Sequence, residues 1–167
     1  MIAPTLQALA AFPQLLEAHY AAVPSGMERW VPPSWEGCPS EHFGPIEQLF
    51  HVRDIEREGY HVRFERTLRE DRPVLADIDS YALAAERGYA GDGDAKAALM
   101  EFRVARARTV ELLSKLHPED LARTAVFEGV GPVSVRGLMH YLCSHDQQHL
   151  AGLQWLLGRI EASRLPS

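Results

Sequence analysis

The 167-residue chain is poor in cysteine: Cys38 and Cys143 are its only thiols, too few for a disulfide framework and without the paired spacing of a zinc knuckle. It contains no run of 18 uninterrupted apolar residues, so no membrane-spanning helix is expected. Basic residues are also scarce, with 17 Lys and Arg against 23 Asp and Glu and a formal net charge of −6. No basic cluster is dense enough to follow a phosphate backbone, which argues against nucleic acid as a partner. The opening segment MIAPTLQALAAFPQLLEAHY lacks a basic leader and a small-residue cleavage pattern and is interrupted by Pro13 and Glu17. A secretory signal is therefore not expected, and a cytoplasmic location is. Repeats and low-complexity tracts are missing too. Present in excess are histidines, eight in all, in a chain whose 46% apolar content and length suit one domain over residues 1–167.

Pro and Gly punctuation divides the chain into long helical stretches. The first, Pro4 to Val23, carries Leu6, Leu9, Phe12, Leu16 and Tyr20 at helical intervals. Pro13 removes an interior hydrogen bond and predicts two unequal pieces. Residues 24–44 hold four prolines with Trp30, Trp35 and Phe43 between them, a connection long enough to cover one end of a bundle. Pro45 is a favoured first-turn residue for a second helix running to about Asp71, ahead of Pro73. A shorter helix or ordered loop follows over Ile78 to Tyr89, then a third long helix from Asp94 to Leu116. Ala125 to Val133 is β-branched and Gly-rich, a hairpin or extended linker. Ser134 is a good N-cap for the last helix, which reaches about Glu161. The expected fold is all-α, a four-helix bundle with a short extended segment before the last helix.

Helical phasing sorts the histidines. In the last helix Leu138, Leu142, His145, His149, Leu153 and Leu156 recur at three- and four-residue intervals, so two imidazoles lie on the core-facing stripe. Four residues turn the helix about 40° beyond one full turn, so both rings can address one ion. Burying two neighbouring rings among leucines is unfavourable unless their nitrogens find partners, and a cation serves both. His51 sits on the second helix beside Val52, Ile55, Gly59 and Val62 and could reach inward from a facing helix. Asp54, Asp146 and Gln148 are near enough in sequence to hold ring nitrogens that no metal uses. His51, His145 and His149 are thus the candidate metal ligands, a three-histidine set with open positions. The competing structural reading has His51 as a partly buried ring bonded to Asp54 or to a backbone carbonyl.

His140 faces elsewhere on its helix, and His61 lies about 15 Å along the axis from His51. His19, His42 and His117 fall near helix ends or in loops, His42 within reach of the mouth of the site. Cys143 is on the wrong side for a fourth ligand. H-D-Q-Q-H is not the zincin H-E-x-x-H, whose glutamate is the general base, and no further ligand follows it in the helix. Only Glu58 and His61 show the Glu-x-x-His spacing of carboxylate-bridged di-iron bundles, and the last helix has no match.

Two segments, FGPIEQLFHVRDIEREGYHVRFERTLRED and GPVSVRGLMHYLCSHDQQHLAGLQWLL, resemble the DinB/YfiT-like four-helix-bundle proteins of the DinB superfamily. The intervening DIDSYALAAERGY and the spacing of Arg106, Arg108, Leu112 and Leu113 add to the likeness. Phe43-Gly44-Pro45 departs from the Trp-Ser common in relatives, at a packing aromatic and an N-cap. The resemblance implies an up-up-down-down bundle, often a homodimer, with His51, His145 and His149 binding one divalent ion, zinc or nickel. Some such proteins are thiol S-transferases using low-molecular-weight thiols, among them a maleylpyruvate isomerase. The family name comes from damage induction, in keeping with an acidic chain that should not bind DNA.

Three functions are compatible with this set. The first is metal-dependent attack of a low-molecular-weight thiol on a small electrophile, with hydrolysis by a metal-held water as a variant. The second is a non-catalytic, metal-binding stress-response protein. The third is a plain bundle without metal. Asp146 is a candidate proton acceptor and Asp54 a candidate orienter of His51, but no catalytic residue is assigned. With no cysteine beside the site, any thiol must come from solution.

Overall fold

The computed structural model describes residues 2–166. In chain order it contains α1 (Ala3–Tyr20), α2 (Pro45–Asp54), a π-helical turn (Ile55–Tyr60), α3 (His61–Arg69), β1 (Val74–Leu75), α4 (Ser80–Arg87), α5 (Ala95–Ser114), α6 (Pro118–Ala122), β2 (Thr124–Phe127), β3 (Gly131–Ser134) and α7 (Val135–Ser163). α2, the π turn and α3 form one continuous rod. This rod and α1 each pack against both α5 and α7, so the first two rods face each other across the bundle. Long connections join the rods, as an up-up-down-down order requires. None of the described helices is long and apolar enough to cross a membrane.

Local chemistry sets the helix boundaries. Asp94 accepts from Lys96 N and Ser134 Oγ from Gly137 N, each supplying an acceptor to an otherwise unpaired first-turn donor. Gly44 N donates to Glu47 Oε2 at 2.7 Å ahead of Pro45. β2 and β3 form the expected hairpin, Thr124 opposite Ser134. Two small elements were not legible in the sequence: β1, which adds to β2 in parallel, and the five-residue α6.

The second helix ends at Arg69 rather than Asp71, and its ladder is interrupted by the π turn, which holds Gly59. The first helix does not break at Pro13; α1 is continuous, with Pro13 buried inside it. Proline lacks the N–H that would bond Leu9 O, and Arg106 Nη1 supplies the missing donor at 3.1 Å. A side chain from α5 thus heals the defect in α1.

The core is apolar at both ends and polar in the middle. One cluster gathers Leu9, Phe64, Leu113, Leu138 and Leu142, the other Phe12, Leu16, Leu49, Phe102 and Leu153. Midway along the rods, between the two sets, lie the buried Gln48, His51, Asp54, Glu56, Arg106, Thr109, Asp146 and His149. Arg106 knits this belt: Nε and Nη2 donate to Glu56 at 3.0 and 2.9 Å, Nη1 and Nη2 to Asp146 at 2.6 and 2.9 Å. Arg106 is 1% exposed and, with its bond to Leu9 O, ties all four rods together.

Removing it would strand two buried carboxylates and a carbonyl. Arg106→Met should therefore cost about 3–5 kcal/mol in urea unfolding. A loss under about 1 kcal/mol would mean that the belt does not hold the bundle.

Candidate functional site

His51, His145 and His149 come together, each offering one ring nitrogen within 4.8 Å of the other two. α2 supplies His51, and α7 supplies His145 and His149 one turn apart, as their spacing requires. Ring centroids are 4.4 Å apart for His145 and His149 and 4.5 Å for His51 and His149. His51 Nε2 and His145 Nε2 approach to 3.2 Å. His51 and His149 are fully enclosed, His145 partly.

Hydrogen bonding fixes the tautomer of His149. Gln48 Nε2 donates to Ser40 Oγ at 3.0 Å and to Phe43 O at 3.1 Å, so its Oε1 is the free acceptor. His149 Nδ1 lies 2.6 Å from that oxygen and must donate to it. The lone pair is then on Nε2, which has no hydrogen-bond partner, and the nearest charged group is Glu41 Oε2 at 3.3 Å, itself buried and unpartnered. Two acceptors facing each other without a donor repel, and a cation between them removes the conflict.

The rings are neutral. Burial lowers His51 from 6.5 to about 3, helped by His149, and lowers His149 to about 3; burial and the two neighbouring histidines push His145 well below its usual value. Each imidazole therefore keeps a lone pair at neutral pH, the state a metal needs. Two nitrogens about 2.0–2.1 Å from a tetrahedral ion lie roughly 3.3 Å apart, close to the observed 3.2 Å. The donor set fits a borderline divalent cation.

The supporting groups differ from those expected. Asp54 does not hold His51: it accepts from Arg53 and from Tyr89 Oη at 2.9 Å, and His51 Nδ1 is unpartnered. Asp146 is no proton acceptor at the site, because both its oxygens are bound by Arg106; burial raises its carboxyl to about 7 against the pull of that guanidinium. Gln148 is exposed, and the amide at the ring is Gln48. His42 stacks on Trp35 at 5.1 Å, while its neighbour Glu41 reaches the histidines. His140 bonds Thr5, and His61 packs on Ala105 O and Thr109 Oγ1 of α5.

Sequence reasoning missed Gln48 and Glu41. Gln48 lies three residues before His51 on the same helix face, a signal that could have found it. Glu41 is on the 21–44 loop, where no periodicity applies. Its placement depends on close packing: a Cβ on Gly152 would stand 2.1 Å from Ser40 Oγ, so only glycine lets the loop sit against α7. Ser80 Oγ donates to Glu41 Oε1 at 3.2 Å from the other side. A cavity of about 130 Å³ adjoins the cluster, with Glu41, His51, Tyr60, Arg63, Ser80 and His145 in its wall. Larger hollows of about 330 and 540 Å³ beside α5 contain none of the three histidines.

The sequence model of the DinB superfamily matches residues 6–153. No curated protein matches the chain in sequence. Among solved structures, YfiT from Bacillus subtilis, described as a probable metal-dependent hydrolase with an unusual four-helix bundle topology, superposes with a TM-score of 0.81. The two share 18% identity over 95% of this chain and 86% of that one, a likeness of fold.

Because folding lowers the histidine values, the unfolded chain takes up protons first as pH falls. The histidines' share of the stability of metal-free protein should be complete above about pH 6.5 and be lost as pH drops from there toward 3, with Asp146, raised to about 7, acting in the opposite sense. In His149→Gln the loss should be shallower by up to about 1.4 kcal/mol per pH unit. Equal slopes in urea titrations of the two proteins would contradict buried neutral histidines.

Proposed function

The chain belongs to the DinB superfamily, and on that premise we propose that it is an enzyme dependent on a divalent metal, zinc or nickel, held by His51, His145 and His149. Its reaction joins a low-molecular-weight thiol to a small electrophile. The observation that carries this reading is the opposition of the His149 Nε2 lone pair to the unpartnered Glu41 Oε2 at 3.3 Å, beside two further neutral imidazoles.

A bound divalent ion would supply the Lewis acidity that lowers the pKa of a thiol, or of water, enough to make a nucleophile at neutral pH. The protein does the rest. Gln48 locks the His149 tautomer, so that its lone pair always faces the site. Glu41 Oε2 takes the proton that the thiol gives up, while Ser80 steadies the other oxygen. The thiol comes from solution: the cluster contains neither Cys38 nor Cys143, and burial raises the Cys143 thiol away from the reactive range.

Hydrolysis is the second reading, favoured by the same carboxylate, since an attacking water also needs a proton acceptor. It accords with the description of YfiT as a probable metal-dependent hydrolase. A purely metal-storing role predicts binding without turnover.

Purified protein should bind one zinc or nickel ion per chain, and the double variant His145→Ala, His149→Ala none. With the metal in place, a panel of small thiols and a generic electrophile should give a conjugate whose formation stops on chelation. Glu41→Gln should keep the ion and lose at least about tenfold in kcat. Bound metal without any thiol-dependent product, alongside hydrolysis of activated esters, would transfer the assignment to the hydrolase; no product of either kind would favour the storage role.

A further inference from the structure

Among the described residues two arginines are buried, Arg63 and Arg106, and they are partnered very differently. Arg106 donates to two carboxylates and a carbonyl. Arg63 is 6% exposed yet makes one hydrogen bond, Nη2 to Ala76 O at 3.2 Å. Its Nε is buried without a partner. The nearest carboxylate, Asp77 Oδ1, is 3.7 Å away on a side chain that is 70% exposed, beyond hydrogen-bond range. Five donors with one clear acceptor leave a buried guanidinium short of partners, and burial lowers its pKa accordingly.

The side chain is nevertheless held in place. Its guanidinium carbon lies 4.3 Å from the centre of the Phe127 ring and 5.1 Å from that of Tyr60. A Cβ on Gly59 would stand 3.2 Å from Nη1, so glycine leaves room for it. The π turn sets its direction. Twelve residues along an unbroken α-helix would put Arg63 about 120° from His51. The extra residue of a π turn swings the downstream face back by most of that angle. His51, Tyr60 and Arg63 consequently line the same cavity, with His145 and Glu41.

We propose that this cavity is a carboxylate-binding subsite in which Arg63 holds the acid group of a small substrate beside the metal centre. The proposal rests on the metal-dependent reading above, because Glu41 and Asp77 outweigh Arg63 in charge and a divalent ion makes the wall net positive. At about 130 Å³ the cavity has the room of roughly four waters, which suits an acid of five or six non-hydrogen atoms. A guanidinium meets a carboxylate through two parallel N–H donors, and Arg63 has unused donors to offer. The acid group belongs either to the electrophile or to the thiol.

Propionate and propionamide, equal in size and different in charge, test this on protein whose zinc content has been measured. Propionate should bind at least about tenfold more tightly than propionamide and should move the Arg63 Nε–H resonance in nitrogen-15 spectra. Arg63→Gln should remove the preference while retaining zinc. Equal binding of the two compounds, an unmoved Arg63 resonance, or an undiminished preference in Arg63→Gln with zinc bound would overturn the subsite, and the resonance decides the matter even if the variant folds poorly. Failure of the wild type to take up zinc would instead remove the metal reading, and the subsite with it. A preference for 3-mercaptopropionate over 3-mercaptopropionamide that Arg63→Gln abolishes assigns the acid group to the thiol, and equal binding of those two thiols assigns it to the electrophile; both outcomes support the subsite.

Discussion

Everything at the centre of this bundle turns on a ring lone pair and a carboxylate oxygen that face each other without a proton between them. His149 must donate through Nδ1 to Gln48, which turns the acceptor side of its ring toward Glu41 at 3.3 Å. His51 and His145 meet Nε2 to Nε2 at 3.2 Å, with both Nδ1 atoms unpartnered. Protonation would relieve the repulsion, but burial makes it costly, lowering His51 and His149 to about 3. A divalent cation would take one nitrogen from each ring and offset the Glu41 charge beside them, which is why the three imidazoles and the carboxylate read as one electrostatic unit.

The scaffold is arranged to hold that unit rigidly. The polar belt lies between two apolar clusters, so each rod is anchored on both sides of it. Arg106 joins Glu56 in the π turn to Asp146, the residue after His145, and also supplies the hydrogen bond that Pro13 denies to Leu9. The bonds that keep the bundle closed therefore fix the helices that carry the histidines. Gln48 does the same for the loop, joining His149 to Ser40 next to Glu41.

Much of this was legible in the sequence because helical periodicity is a strong signal. The four rods and the convergence of His51, His145 and His149 follow from spacing and phase, and the Ser134 cap from residue type. What escaped notice depends on non-local contacts. Pro13 reads as a break until a buried arginine from another helix replaces its missing donor. Asp54 and Asp146 look like partners of nearby histidines, yet Tyr89 and Arg106, distant in sequence, take their oxygens. A π turn carries no distinct residue pattern, so the return of Arg63 to the face of His51 was out of reach. Glu41 sits on an aperiodic loop whose course depends on the missing side chain of Gly152.

The central claim is that the three histidines share one ion, and zinc-edge X-ray absorption on the metal-loaded protein tests it most directly. The account predicts a first shell containing three imidazole nitrogens at about 2.0–2.1 Å, with the signature of three rings in the outer scattering. It also predicts that this shell is lost in the His145→Ala, His149→Ala variant. A shell with one imidazole or none, or the same spectrum from the double variant, would contradict it.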